Sequence, residues 1–279
     1  MLRKLLRRIF PTRLAEAIKY YLLPDEVRLI ELLFRGKPLE TGPQRVMVDV
    51  GAHEGSSLLP FLKMDWRIHA FEPDAKNREV LLAAIKGDKR VTVDERGVSD
   101  KDGEVVPFYA SDVSSGISGL SAFHETHEPA GTITTVTLAA YIEDHAIENI
   151  DFLKVDTEGF ELFVIKGIPW EKVKPGAIIL EYENAKTMPL GYTMPDLAAI
   201  LTEQSYHVIL SEWQPINRYG EAHSWKRITP YPPADDWNEK GWGNLIAFHE
   251  RADYENFLAL AKKYRPGWKV GNILNRLIP

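Results

Sequence analysis

Residues 45–55 have the sequence RVMVDVGAHEG, in which a short apolar run rich in β-branched residues ends in a glycine-containing turn. Such a run predicts a buried strand. Residues 56–63 and 75–86 have helical spacing, and residues 67–71 and 91–93 have the composition of further strands. Because strands and helices alternate, the sequence predicts an α/β fold with a parallel, doubly wound sheet and right-handed crossovers.

The same alternation continues towards the C-terminus. Further strands are predicted at residues 104–109, 132–137, 150–155, 177–182, 206–210 and 245–248. Further helices are predicted at residues 138–145, 160–167, 194–204 and 252–264. We expect an N-terminal helical arm over residues 1–44, an α/β domain over 45–250, and a C-terminal helix with an irregular tail over 251–279.

The amino-acid composition excludes several classes of site and argues against some kinds of partner. The 279 residues carry a net charge of −6, a balance that argues against a nucleic-acid partner. There is no cysteine, which excludes a disulfide framework, a thiolate nucleophile and a cysteine-ligated zinc site, and fits a reducing compartment. No apolar stretch reaches the ~20 residues that a membrane span needs, and a cytoplasmic location is therefore predicted.

The N-terminal arm is basic, since five arginine or lysine residues precede the first acid, Glu16. We interpret it as a helical arm packed on the domain. A second interpretation remains open, in which a basic amphipathic helix makes a weak contact with an anionic membrane surface. The sequence does not indicate an oligomeric state.

The turn after the first strand has the chemistry of a nucleoside-cofactor site. Gly51 and Gly55 allow close approach of a ligand to the backbone, and Glu72, just after the second strand, can accept hydrogen bonds from ribose hydroxyls. A nicotinamide enzyme normally carries G-x-G-x-x-G, whereas the spacing here is Gly51-x-x-x-Gly55. Asp49 would repel a pyrophosphate and suits a cationic ligand, which favours S-adenosylmethionine.

Three alternatives remain beside that interpretation. Asp49 can simply cap the following helix while the glycines form a turn. The chain can instead be a nicotinamide-dependent oxidoreductase, or a non-catalytic nucleoside-binding protein on a similar fold.

Five motifs in order resemble the FkbM-like methyltransferases over residues 45–185. They are VDVGA at 48–52, FEP at 71–73, VSDKDG at 98–103, FLKVDTEGFE at 152–161 and KG at 166–167. The resemblance implies a Rossmann-like class I methyltransferase with a seven-stranded, mostly parallel sheet. It also implies S-adenosylmethionine-dependent O-methylation of a small-molecule or glycan acceptor, such as a sugar, glycolipid or polyketide.

The resemblance assigns the cofactor contacts. Asp49, Gly51, Ala52, His53 and Gly55 would face the methionine part, Glu72 the ribose, and Val98 the adenine. His53 departs from the asparagine usual in the family, but it can still donate a hydrogen bond.

Catalytic candidates are acids that follow the fourth and fifth strands of the parallel sheet. An alcohol is a poor nucleophile and benefits from a base. Asp156 is the first candidate for that base and Glu158 the second, while Glu181 and Glu183 can converge with them as substrate contacts if the two strands are neighbours. The alternative is that Asp156 or Thr157 caps the next helix. No metal is predicted.

Two further stretches are assigned to acceptor recognition. Residues 111–128, Ser- and Gly-rich and ending in His124-Glu125-Thr126-His127-Glu128, are predicted to form a lid rather than a metal site. Residues 213–242 are rich in tryptophan, and Trp225 and Trp237 are predicted to contact a ring-shaped substrate. A loop packed on the sheet edge is the alternative for this second stretch.

Overall fold

The computed structural model describes residues 24–38, 44–111, 119, 127–215, 225–234 and 241–277, without the side chains of Ser111, His127 and residues 266–277. The expectations for the arm before residue 24, for residues 124–126 and most of the lid, and for Trp237 lie outside the described residues.

The described residues form eleven strands and eight α-helices. The strands are β1 Val46–Val50, β2 Arg67–Phe71, β3 Val91–Asp94, β4 Gly97–Val98, β5 Val105–Ser111, β6 His127–Val136, β7 Phe152–Val155, β8 Ala177–Glu183, β9 His207–Trp213, β10 Trp225–Pro230 and β11 Trp242–Phe248. The helices are α1 Glu26–Arg35, α2 Leu59–Leu62, α3 Ala75–Ile85, α4 Leu138–Asp144, α5 Glu161–Lys166, α6 Asn184–Thr187, α7 Met194–Glu203 and α8 Arg251–Leu277.

The main sheet has the order β10-β9-β11-β8-β7-β1-β2-β3. Strands β8, β7, β1, β2 and β3 are paired in parallel, whereas β11 is antiparallel to both β8 and β9. The prediction of a doubly wound, mostly parallel sheet is confirmed. The strand count is eight instead of the expected seven, because β10 adds an antiparallel strand to β9 from within the tryptophan-rich stretch.

Two segments predicted as strands belong to a separate small sheet with the order β4-β6-β5. β5 and β6 are antiparallel, and β6 also runs parallel to the two-residue strand β4. Strand propensity was therefore assigned correctly, but the sequence does not reveal which sheet a strand joins. Gly119, a described residue between β5 and β6, pairs with Tyr109 of β5 through two backbone hydrogen bonds.

Both faces of the main sheet are buried, which explains the nearly continuous apolar character of its central strands. Leu153 and Val155 pack with α4, α5 and α7 on one face. Phe152 lies on the other face and packs with α1, α2, α3 and α8. Thus α1 from the predicted arm and the first part of α8 pack against the sheet.

A buried carboxylate anchors α1 to the antiparallel side of the sheet. Glu26 Oε1 accepts hydrogen bonds from Ser211 Oγ at 2.6 Å and from the indole nitrogens of Trp213 at 2.7 Å and Trp225 at 3.2 Å. The Asn244 amide donates to the same oxygen at 3.1 Å. These donors replace the water that the buried carboxylate loses.

Two helix boundaries differ from the sequence predictions. The helix expected at residues 56–63 shortens to α2, because the chain makes turns through residue 58. The last helix continues to Leu277 instead of ending near residue 264, and its backbone passes through Pro266, a residue that normally ends helices. Within the described chain, none of the helices combines the length and the apolar character needed to cross a membrane.

Candidate active site

A cavity opens at the carboxyl ends of β1, β2 and β7, where ligands bind in sheets of this kind. Its wall contains residues from the turn after β1, from the end of β2, from β4 and from the loop after β7; they include Gly51, His53, Glu72, Val98, Asp156 and Glu158. Ala52 also lines it, so five of the seven predicted cofactor residues line the cavity, and Asp49 and Gly55 do not.

The turn after β1 needs glycine at position 51. Gly51 has a φ of +79°, and a Cβ atom there would lie 1.9 Å from the carbonyl oxygen of Asp156. Lys154 Nζ donates a hydrogen bond to the Gly51 carbonyl at 3.2 Å. The two loops that form the floor of the cavity are therefore in direct contact, and any side chain at position 51 would push them apart.

Position 55 requires glycine for a different reason, which is its contact with a helix. Its φ is +87°, and a Cβ atom would lie 2.6 Å from Leu81 Cδ1 of α3. Gly55 does not line the cavity, so it closes the turn against the packed helix and its predicted contact with a cofactor stays a prediction.

Glu72 is held by backbone amides. Its Oε2 accepts from the His53 amide at 2.7 Å, and its Oε1 accepts from the Asp74 amide at 2.9 Å. Burial raises the pKa of Glu72 to about 7, although these hydrogen bonds act in the opposite direction. A carboxylate has about four lone-pair sites, which leaves acceptor capacity for ribose hydroxyls.

Asp49 is fully buried and does not line the cavity, unlike the position expected from the sequence. It lies inside β1, where strand alternation directs its side chain to the sheet face that also carries its register partner Lys154. Its Oδ2 accepts from Ser57 Oγ at 2.5 Å, and its Oδ1 lies 3.5 Å from Lys154 Nζ. Burial raises the pKa of Asp49, and Lys154 opposes that shift. Asp49 thus fixes two residues that do line the cavity.

The acids after β7 and β8 converge as expected, because these two strands are neighbours. Asp156, Glu158 and Glu181 place carboxylate oxygens within 4.8 Å of one another. Glu183 is the fourth member of this group, which we call the acid cluster. Asp156 is its most accessible member, with a side chain 39% exposed.

Two lysines that sequence reasoning missed neutralise part of the acid cluster. Lys154 Nζ lies 3.2 Å from Asp156 Oδ2. Lys186 Nζ, from α6, lies 2.5 Å from Glu158, 2.8 Å from Glu183 and 3.5 Å from Glu181. A charged residue inside the apolar strand FLKV was a signal for Lys154, whereas nothing in the sequence around Lys186 distinguishes it.

The protonation of the acid cluster is uneven. Burial raises the pKa of Glu158 to about 7, even though Lys186 opposes the shift. Burial also raises the pKa of Glu181 well above its usual range. Burial alone would raise the pKa of Asp156, but Lys154 and Lys186, together with a hydrogen bond from Glu181, hold it below its ordinary value. Among Asp156, Glu158 and Glu181, the most accessible acid is therefore the one whose ionised form the surroundings favour.

Glu161, at the start of α5, stabilises the loop after β7 through hydrogen bonds. It accepts hydrogen bonds from the Thr157 amide at 2.8 Å and the Gly159 amide at 3.2 Å, and from Tyr192 at 3.1 Å. Burial raises the pKa of Glu161, and those amides oppose the shift. It shapes the loop that carries Asp156 and Glu158.

Trp225 lies in the core instead of in an acceptor site. It is 8% exposed, and its indole nitrogen donates to Glu26 and to Ser211 Oγ at 3.0 Å. Among the described residues, Trp242 is paired in register with Glu183 of the acid cluster, and its ring lies 5.5 Å from that of Trp213. Sequence reasoning named the tryptophan-rich stretch but could not rank its members without the strand register.

Comparison with known proteins identifies the family. A family model described as the methyltransferase FkbM domain matches residues 49–208. The chain belongs to this family. It is an S-adenosylmethionine-dependent methyltransferase, and its eight-stranded sheet is a Rossmann-like class I methyltransferase sheet with one added edge strand.

Solved structures with a related architecture have low sequence identity. A precorrin-6y C5,15-methyltransferase from Geobacter metallireducens is 14% identical, with 82% of this chain and 92% of that chain covered and a TM-score of 0.42. An rRNA methylase from Streptococcus thermophilus is 9% identical over 81% and 97% of the two chains, with a TM-score of 0.39. An O-methyltransferase from Thermotoga maritima is 12% identical over 81% and 64%, with a TM-score of 0.37. A search of curated proteins found no match.

The cavity wall, which also carries Lys154 and Arg96, contains groups that suit the cofactor of this family. Glu72, Asp156 and Glu158 give part of its wall an acidic character that suits a cationic sulfonium and amino group. Val98 and Phe108 supply an apolar side for a purine ring. The family membership favours this interpretation over the nicotinamide and non-catalytic alternatives.

Proposed function

We propose that this methyltransferase transfers the methyl group of S-adenosylmethionine to a hydroxyl oxygen of a sugar, glycolipid or polyketide-type acceptor. The observation that carries the proposal is the meeting of the Gly51 turn, Glu72 and Asp156 around one cavity. It combines a cofactor-binding wall with an ionised carboxylate, and an alcohol acceptor needs such a proton acceptor.

Glu72 would accept hydrogen bonds from the ribose of a bound cofactor, and Val98 would lie beside its adenine. Gly51, Ala52 and His53 would contact the methionine part, and Asp49 would support that contact through Ser57 and Lys154. When bound, the cofactor supplies an electrophilic methyl group on a positively charged sulfur.

The residues after β7 align the acceptor hydroxyl and receive its proton. Asp156 is the base, because it is ionised and is the most accessible acid of the cluster. Glu158 lies behind it and is paired with Lys186, so it is the secondary candidate. Asp156 would receive the proton of the acceptor hydroxyl as its oxygen bonds to the methyl carbon that the cofactor would supply, and the cofactor's sulfur would be released as a neutral thioether.

The acceptor is proposed to lie on the side of the acid cluster that faces β11. Trp242 lies in register with Glu183, and an indole ring beside carboxylates suits a ring that carries hydroxyl groups. Glu181 and Glu183 are the polar groups available there, although their ion pairs with Lys186 limit them to a supporting role.

Isothermal titration calorimetry tests the cofactor assignment. We expect wild-type protein to bind S-adenosylmethionine and S-adenosylhomocysteine and not NAD. Glu72→Ala should lose at least roughly tenfold in affinity for both ligands, because it removes charge-assisted hydrogen bonds to the shared ribose.

Glu79→Ala is the matched control, since Glu79 is an exposed glutamate of α3 on the helix that follows Glu72. It should bind both ligands like the wild type. Binding of NAD without binding of either sulfur compound would overturn the proposal.

A further inference from the structure

The four carboxyl groups of the acid cluster outnumber the lysines that neutralise them. Asp156, Glu158, Glu181 and Glu183 face the two ammonium groups of Lys154 and Lys186. Ionising all four acids in a buried site would leave an uncompensated charge, which is costly. The net charge of these six residues therefore depends on both Lys154 and Lys186.

Lys186 has the central position among these charges. Its ammonium group contacts three carboxylates, at 2.5, 2.8 and 3.5 Å, and its side chain is only 3% exposed. The contacts join the loop after β7 to the end of β8. A lysine so enclosed cannot exchange its partners for water, so its charge is a fixed part of the site.

The surroundings of Lys186 are otherwise acidic. Beyond the three carboxylates in contact, Asp156 and Glu161 interact with it at longer range. Lys154 is the other cation of the group and interacts with Asp156 and Glu181. Tyr192, which donates to Glu161, is the remaining titratable group packed on this loop.

Only part of this network touches the cavity. Asp156 and Glu158 line the wall, whereas Lys186 lies behind them. Lys186 thus acts on a ligand through the two acids, by offsetting their negative charge and fixing their positions. The cofactor carries a sulfonium charge before methyl transfer, and the product has none.

We propose that Lys186 is a positioning residue whose ammonium group sets the net charge of the acid cluster and thereby the preference of the site for cationic S-adenosylmethionine over neutral S-adenosylhomocysteine. Lys186 also keeps Asp156 ionised by offsetting Glu158, Glu181 and Glu183. This inference rests on the proposed function, in which both ligands occupy the cavity.

The affinity ratio of the two ligands is the appropriate measurement, because they differ by the methyl group and its positive charge. Lys186→Met removes a positive charge from beside Asp156 and Glu158, so the ratio of S-adenosylmethionine to S-adenosylhomocysteine affinity should rise, by up to roughly tenfold at pH 8. Calorimetry in buffers of different ionisation enthalpy should show more protons released when S-adenosylmethionine binds to the variant at pH 7, since its acids hold more protons beforehand.

Four variants separate the effect of charge from an effect on structure. Lys186→Arg keeps the charge and should hold the ratio within about twofold of wild type. Glu183→Gln removes one negative charge and should lower the ratio, and in the double variant with Lys186→Met it should bring the ratio back towards wild type. Lys172→Met removes an exposed lysine, 72% accessible, and should leave the ratio unchanged.

The outcomes distinguish this inference from the proposed function. If Lys186→Met and Glu183→Gln change both affinities equally, Lys186 is only structural and the inference is overturned. If Lys186→Met does not fold, Glu183→Gln alone decides, and an unchanged ratio in that variant overturns the inference. If the wild type binds neither ligand, the proposed function fails and the inference fails with it.

Discussion

Individual residues of the cavity were partly predictable from sequence. Glu72 and Gly51 follow strands directly, so their position at the carboxyl edge could be inferred from the strand pattern alone. Asp49 lies two residues before Gly51, inside the strand, and its side chain turns to the buried face. Lys186 could not be predicted, because its contacts depend on how α6 packs after β8.

The role of Asp156 gives a prediction at this scale. Asp156→Asn keeps the size of the side chain but removes the proton acceptor, so the methyl-transfer rate should fall by about 10²-fold or more. Affinity for S-adenosylhomocysteine should stay within a few-fold of wild type. A radiolabelled methyl-transfer assay over sugars and small alcohols would measure the rate, with calorimetry as the binding control.

Glu158→Gln is the matched comparison for Asp156→Asn. Glu158 is paired with Lys186 at 2.5 Å, so its amide variant should reduce the rate less. If Glu158→Gln were the more damaging change, the base would be Glu158 and the assignment of Asp156 would be wrong.

At the scale of elements, the strand pairing in the structure shows which strands belong to which sheet, and the sequence pattern does not contain that information. The alternation of strands and helices predicted the parallel strands, because their apolar runs are short and bounded by turns. It did not predict β10, whose residues Trp225–Pro230 mix aromatic, charged and proline residues without a clear alternation. Nor did it separate β5 and β6 into their own sheet, because local pattern carries no information on distant partners.

We expect different effects from replacing the first tryptophan of β10 and the first tryptophan of β11. If the acceptor lies on the β11 side of the acid cluster, as proposed, Trp242→Ala should raise the KM for the acceptor by roughly tenfold without changing cofactor affinity, because Trp242 is paired in register with Glu183. Trp225→Ala should instead lower the free energy of unfolding by about 3 kcal/mol, since it empties a buried site.

Steady-state kinetics and urea unfolding of the two variants distinguish these effects. A Trp225→Ala protein of normal stability that has lost acceptor affinity would contradict the structure's placement of this residue in the core.

At the scale of the whole molecule, the pH dependence of stability includes a contribution from a buried histidine of β2 that contacts α4. His69 is 3% exposed, and its Nδ1 lies 3.0 Å from the Tyr141 hydroxyl. Burial lowers the pKa of His69 to about 4, with Arg67 and His145 acting in the same direction. The unfolded chain binds this proton near pH 6.5, so the native state is stabilised above that pH and loses the contribution as the pH falls towards 4.

The corresponding variant is His69→Phe. Wild-type protein should lose about 3 kcal/mol through His69 between pH 7 and pH 4, and His69→Phe should lack that part of the slope. Acids such as Glu72, whose pKa is raised to about 7, have the opposite slope in both proteins and cancel in the comparison.

Urea unfolding at several pH values provides the measurement, and pH 8 is the internal control because His69 is neutral there in both states. At pH 8 the variant should differ from wild type only by the lost hydrogen bond, about 1 kcal/mol. Parallel curves for the two proteins from pH 8 to pH 4 would rule out this role for His69.

The small sheet β4-β6-β5 has a consequence for how the protein could diversify. Its hairpin of β5 and β6 contributes Phe108 and, through the connection, Gly119 to the cavity, yet it shares no strand pairing with the main sheet in the described parts of the chain. Insertions or exchanges in that hairpin would leave the register of β1, β2 and β7 intact. The hairpin can therefore vary one wall of the cavity, at Phe108 and Gly119, while the strands that position Gly51, Glu72 and Asp156 keep their pairing.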